Sequence, residues 1–151
     1  MESLVRLEGA FAYLIMKDDE LIGARDPHGL RPLSLGRLGD GYILTSETCA
    51  FHVVGATFIR DIEPGELVWM NQEGIHFKRF APKKIWAMCA MEYVYFARPD
   101  SDVDGANVHS TRKKMGKYLA QETSVDADVV IGVPDSSISC AVGYAEQSGI
   151  P

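Results

Sequence analysis

"DVVIGVPDSSISCAVGYAEQSGIP", residues 128–151, decides how this chain is read. "DVVIGV" is short and rich in β-branched residues, the composition of a strand buried on both faces of a parallel sheet. Pro134 ends it, and Ser136 or Ser137 stands where a helix cap belongs. Ile138, Ala141, Val142 and Ala145 follow at i, i+3, i+4 and i+7, an apolar stripe of helical period. Gly149 sits where a glycine closes such a helix. Strand, tight loop and helix together make half of a βαβ crossover.

A loop of this kind gathers unpaired N–H donors at a helix N-terminus, where the dipole adds partial positive charge. Ser136 and Ser137 add hydroxyls suited to a phosphate or a metal-bound oxygen. Asp135 repels anions directly but tolerates a Mg2+ bridge. Two readings stay open on pattern alone: an anion site, or a serine-capped helix with no further role. Gly132 and Gly143 do not make a Walker A loop.

Upstream the grammar differs. "GAFAYLIM", "LIGA", "RPLSLGRL", "DGYILTS", "TFIRDI", "ELVWMN" and "GIHFKRF" read as short strands. Gly39-Asp40-Gly41, Glu63-Pro64-Gly65 and Gln72-Glu73-Gly74 supply turns. "SETCAFHVVG" predicts a short helix, capped by Ser46 or Thr48 and ended by Gly55. Residues 9–80 therefore predict a mostly antiparallel sheet region joined by hairpins. "APKK", residues 81–84, breaks the composition and suggests a linker. "IWAMCAMEYVYFA" is apolar nearly throughout and reads as buried, without deciding helix against strand. "VHSTRKKMGKYLAQE" predicts a helix with Val108, Met115 and Leu119 on one face. Arg112, Lys113, Lys114 and Lys117 fall mostly off that face and read as solvated.

The whole-chain bounds agree with a globular protein: 151 residues, 46% hydrophobic and 24% charged. A net charge of −6 argues against nucleic-acid or anionic-membrane partners. No apolar run nears the roughly 18 residues a bilayer crossing needs, and the N-terminus lacks a secretory pattern. A cytoplasmic setting with reduced Cys49, Cys89 and Cys140 is the expectation. His28, His52, His76 and His109 show no metal or nucleophile spacing and read as surface or hydrogen-bonded histidines.

"RDPHGLRPLSLG" (25–36), "LTSETCAF" (44–51), "CAMEYVYFARPDS" (89–101) and "DVVIGVPDSSIS" (128–139), in that order, closely resemble bacterial glutamine phosphoribosylpyrophosphate amidotransferases. The resemblance covers essentially the whole chain. It implies an α+β fold: residues 1–82 as the second half of an Ntn-hydrolase class II glutaminase domain, mostly antiparallel, and residues 83–151 as the start of an α/β type I phosphoribosyltransferase domain. It implies an enzyme that forms 5-phosphoribosylamine, pyrophosphate and glutamate from glutamine and phosphoribosylpyrophosphate, opening purine synthesis. It further implies Mg2+, and a homotetramer at full length.

The same resemblance withholds the catalytic residues. The family's nucleophile is an N-terminal cysteine, which none of the three cysteines matches, and its acidic ribose-binding loop finds no counterpart here. The expectation is an internal fragment, inactive alone and prone to self-association, with apolar faces such as Ile131 and Val133 exposed. Residue by residue, Asp135, Ser136 and Ser137 match the pyrophosphate loop, with Ser136 nearest Mg2+. Cys89 matches a ligand of a [4Fe–4S] cluster in one subgroup, or is a plain core residue. Arg25, Asp26, Gly29 and Arg31 match the class II amidotransferase motif and read as mainly structural. Met88, Met91, Tyr93, Tyr95 and Phe96 read as core. A non-catalytic phosphate-binding or interaction module is the alternative. A different class II amidotransferase is disfavoured by the residues after Ala97.

Overall fold

The structure, a computed structural model, describes residues 2–151. It divides into two compact units, one ending at Cys89 and the other running from Ala90 to Pro151.

In the first unit a short helix, α1 (Glu2–Arg6), precedes seven strands: β1 (Ala12–Lys17), β2 (Glu20–Arg25), β3 (Ser34–Leu38), β4 (Gly41–Thr45), β5 (Thr57–Asp61), β6 (Glu66–Asn71) and β7 (Gly74–Arg79). All seven fall on segments whose β-branched, aromatic composition predicts strand. They form two antiparallel sheets, ordered β1-β2-β6-β7 and β4-β3-β5. Because side chains alternate along a strand, β2 and β6 serve two cores. Val68 and Met70 pack with Leu33, Leu35, Leu44 and Ile62. Ala24 and Leu67 pack with Leu4, Phe11 and Phe80. A Cβ at Gly23 would come within 2.7 Å of the Leu44 side chain, so the sheets approach there only over a glycine.

Helix α2 (Cys49–Val54) forms where expected and ends at Gly55 in the left-handed region, φ +72°. Thr48 occupies its N-cap without a side-chain bond. Phe51 lies on Gly36 of β3, where a Cβ would meet the ring at 2.6 Å.

Residues 82–89 stay with this unit. The Lys84, Ala87 and Cys89 amides donate to Pro27, His28 and Leu30 carbonyls at 3.0, 3.0 and 3.2 Å. The "IWAMCAMEYVYFA" run is not the buried element expected. Ile85 is 86% exposed, Trp86 55%, and Met91, Val94, Tyr95 and Phe96 are exposed too. Of the residues read as core, Tyr93 alone is buried, at 9%. The run carries no regular structure through Cys89 and then turns as a π-helix, Glu92–Phe96, so one apolar string is divided between two structures and two environments.

The second unit continues with a two-stranded hairpin, β8 (Asp102–Val103) and β9 (Ala106–Asn107), then α3 (Val108–Glu122) and α4 (Ile138–Ser148). Asn107 caps α3 through its side-chain oxygen, which accepts from the Ser110 amide at 3.0 Å. The helices pack on small residues: a Cβ at Gly116 would collide with the Cys140 carbonyl, and one at Gly143 with that of Lys113. Lys113 and Lys117 both reach Glu146, at 2.5 and 2.9 Å. Hydrogen bonds from Lys113, then from Lys117, hold the Glu146 carboxyl below the usual carboxylate range.

The face of α3 differs from the expected one. Val108 is fully buried, but Met115 and Leu119 are 38% and 48% exposed. Arg112, read as solvated, is 2% exposed. Its guanidinium binds main-chain carbonyls, which makes burial of the charge tolerable. Residues 128–133, expected as a strand, carry no regular structure and form no ladder; a backbone bond runs from Val130 N to Pro151 O, 2.8 Å. Ile131 and Val133 are 79% and 77% exposed, as expected for a β-branched segment without a neighbouring strand.

Candidate phosphate-binding site

Two tight loops carry the residues singled out from sequence. The first, Asp26–Arg31, lies in the first unit. Asp26 is completely buried; its carboxylate accepts from the amides of His28 (2.9 Å), Leu30 (3.0 Å) and Arg31 (3.4 Å). Arg25, 1% exposed, donates to the carbonyls of Arg31 (2.8 Å), Ile62 (2.9 Å) and Gly29 (3.1 Å). Gly29 has φ +65°, and a Cβ there would meet Pro64 at 2.8 Å. The structural reading of this motif follows from that geometry, since these buried side chains spend their hydrogen bonds on main chain.

The second loop, Pro134–Ser137, joins residues 128–133 to α4 in the second unit, through a cis Pro134–Asp135 peptide. Asp135 is exposed, and Ser136 and Ser137 are half-buried. Ser137 takes the N-cap position, yet its hydroxyl turns back to donate to the Val133 carbonyl instead of capping α4. The capping role expected of Ser137 is thereby replaced by a bond that closes the loop on itself.

Asp135 and Ser136 face an open concavity of about 830 Å3. Arg98, His109 and Ser139 line it with them, and Tyr95 and Phe96 form an aromatic flank. Ser137 instead lines an apolar groove beside Val129 and Ile131. The structure therefore separates the two serines that the sequence pairs. His109 Nδ1 lies 2.9 Å from the buried Ser139 Oγ, so the starts of α3 and α4 are joined at the floor of the concavity. Arg98 binds Asp100 through two N–H groups, at 3.1 and 3.0 Å. With Arg112 also in the lining, two guanidiniums, an imidazole and two hydroxyls surround one hollow at a helix N-terminus beside the Asp135 carboxylate, a set suited to an anion that shares a cation with Asp135.

Sequence reasoning missed Arg98, His109 and Ser139. The "ARPDS" string quoted for the resemblance contained one of them. The other two meet only because α3 and α4 pack.

Cys89 lies in the first unit, half-buried, its amide bound to the Leu30 carbonyl. Cys49, the other cysteine of that unit, is buried, with its thiol 3.8 Å from Glu47. A [4Fe–4S] cluster needs four thiolates, and the sequence holds three cysteines. The residues present do not form a cluster site. Among the described residues no group of three or more His, Cys, Asp or Glu side chains converges to hold a metal ion. Asp135 and Ser136 fit Mg2+ only as an ion shared with a ligand's own oxygens.

No protein-family model matches the chain. Among curated proteins it is 60% identical to the amidophosphoribosyltransferase of Bacillus subtilis over 149 residues, 99% of this chain and 31% of that one. It is 54% identical to the amidophosphoribosyltransferase of Staphylococcus aureus over 151 residues, again 99% and 31%. Two solved structures superpose with TM-scores of 0.95 at 60% identity, covering 99% of this chain. One is the B. subtilis glutamine phosphoribosylpyrophosphate amidotransferase complexed with ADP and GMP, of which the chain covers 33%. The other is described as the allosteric regulatory enzyme of purine biosynthesis, of which it covers 32%. The chain thus spans about a third of the length of the curated relatives it matches. Fold and loop together make an α+β chain that is similar to these enzymes along essentially its whole length. In sequence and in fold, this stretch matches bacterial amidophosphoribosyltransferase.

Proposed function

We propose that the chain contributes the pyrophosphate grip of an amidophosphoribosyltransferase. The complete protein takes glutamine and phosphoribosylpyrophosphate to 5-phosphoribosylamine, pyrophosphate and glutamate, at the entry to purine synthesis. It works in the cytoplasm as a homotetramer. Residues 1–82 belong to its glutaminase domain and the second unit, from Ala90, to its phosphoribosyltransferase domain, with residues 83–89 the connection between them. The observation that carries this reading is the loop Asp135–Ser136 opening, at the start of an 11-residue helix, onto a hollow that also holds Arg98 and His109.

The residues act as follows. Amides at the α4 N-terminus and the Ser136 hydroxyl meet the diphosphate oxygens. The amides are set by the helix before the ligand arrives, so they stabilise charge that builds on the departing diphosphate with little reorganisation. Mg2+, when bound, neutralises part of that charge. Asp135 would hold that ion and so would not meet the bare anion. Ser137 supports the loop from behind through Val133. Cys89 has no part in this chemistry.

A calorimetric titration of the full-length gene product with pyrophosphate and Mg2+ tests the proposal. Ser136→Ala should weaken binding by about tenfold, the effect of one lost hydrogen bond to a charged group. Ser137→Ala should weaken it less, because its hydroxyl serves the loop. Equal affinity in parent and Ser136→Ala would remove the proposal. Micromolar, serine-dependent binding by the 151-residue chain alone would favour a stand-alone phosphate-binding module instead.

A further inference from the structure

We infer that Arg112, almost wholly buried at the edge of the concavity's lining, is a positioning residue there: bound to the π-helical turn Glu92–Phe96, it holds that wall, and with it Arg98, at the setting an anion requires. The inference rests on reading the hollow at Ser136 as a phosphate site.

Glu92–Phe96 is a π turn, a conformation less favourable than an α-helix and often found beside functional sites. Arg112 reaches it from α3. Its Nε donates to the Tyr93 carbonyl and its Nη2 to the Ala97 carbonyl at 2.8 Å. One planar fork therefore binds the body of the turn and the first residue after it. Tyr93 adds a second tie, its hydroxyl donating to the Val103 carbonyl at 2.6 Å. The chain beyond is tied as well: His109 N donates to Pro99 O, and Val108 N to Ser101 O, both at 3.0 Å. Arg98 sits between these two sets of bonds, and its peptide has little freedom to move.

The cost of this arrangement argues for a purpose. A guanidinium at 2% exposure has left water, while Lys113, Lys114 and Lys117 on the same helix remain at the surface or half-buried. A helix meant only to pack would carry an apolar residue at that position, which is neutral or better for stability. An arginine fork is suited to fixing two carbonyls at a set separation, which a lysine cannot reproduce. Displacing a positioned group by about 1 Å is enough to cost up to about a hundredfold in function.

The test uses pyrophosphate with Mg2+ on the full-length gene product, at a temperature where melting curves show every variant folded. Arg112→Lys keeps the charge and loses the fork; it should bind pyrophosphate about tenfold more weakly. Tyr93→Phe, which loosens the same turn without removing a charge, should weaken binding severalfold and decides the matter if Arg112→Lys does not fold. In an Arg98→Met background Arg112→Lys should cost less than in the parent, because the two residues act as a unit. A lowered melting temperature with parental affinity in the folded variants overturns the inference. So does full additivity with Arg98→Met. If Ser136→Ala leaves affinity unchanged, the site reading itself has failed and this inference falls with it. If Ser136→Ala weakens binding and the Arg112 and Tyr93 variants do not, the site stands and the positioning role alone is lost.

Discussion

The loops at Asp26–Arg31 and Pro134–Ser137 look alike in sequence, each a short polar string after a strand-like segment, with an aspartate and a proline. They are opposites in three dimensions. The first is sealed: Asp26 is fully buried and three amides point into its carboxylate. The second is open: Asp135 is exposed and Ser136 borders a hollow. A loop whose polar groups satisfy one another stabilises the fold and has little left for a ligand. A loop that leaves helix N-terminal donors facing a cavity is stabilised little by its own contacts and is suited to an anion. Perturbing the sealed loop should therefore change stability, and perturbing the open one should change binding.

The sharpest break of that contrast comes from Arg25→Ala. It would strip three carbonyls, two of them buried, of a charged donor, and we expect a loss of about 3–5 kcal/mol in unfolding free energy, read by denaturant titration. A loss below about 1 kcal/mol would show that the corner is not what holds the two ends of β2 and β3 together. Next in size is the tenfold change in pyrophosphate affinity expected of Ser136→Ala. The same variant should move unfolding free energy by no more than about 0.5 kcal/mol, because its side chain is half-exposed. A large stability change would place Ser136 with the sealed corner instead.

A smaller effect sharpens the contrast within the first unit. Arg60 and Glu66 form a two-pronged ion pair at 2.8 and 3.0 Å. Burial works to raise the Glu66 carboxyl, but hydrogen bonds from Arg60 and the Glu63 amide outweigh it and hold it below the usual carboxylate range. The Glu66 hydrogen bond in turn raises the Arg60 guanidinium above its ordinary value, against desolvation. The depressed carboxyl contributes stability that is present above the ordinary glutamate value near about 4.3. That stability is lost as pH falls through the lower folded value. Glu66→Gln should cost about 1 kcal/mol at pH 7, and parent and variant should converge in acid. A difference that persists at pH 2 would assign the effect to packing.

Much of this was readable from the sequence. All seven strands of the first unit announced themselves because hairpin sheets alternate over short runs with glycine turns between them. The corner at Arg25–Arg31 was legible as structure because a glycine and a buried ion leave few alternatives. The rest depended on contacts that local pattern does not contain. Arg112 fell among lysines on the helical wheel, and only the π turn above it explains its burial. The 85–97 run looked like a single buried element because composition records hydrophobicity, not which neighbours are near enough to cover it. The 128–133 segment has strand composition without a strand beside it, so it forms no ladder. Ser136 and Ser137 were indistinguishable until the Ser137 hydroxyl was seen turned to Val133.

The central claim is that the start of α4 grips a diphosphate. Backbone amide resonances of the full-length gene product, followed through a titration with pyrophosphate and Mg2+, test it most directly. The account predicts the largest shifts at Asp135–Ser139 and at Arg98, with His28, Leu30 and Arg31 unmoved. Shifts confined elsewhere, or an unchanged Ser136 amide at saturating pyrophosphate, would contradict it.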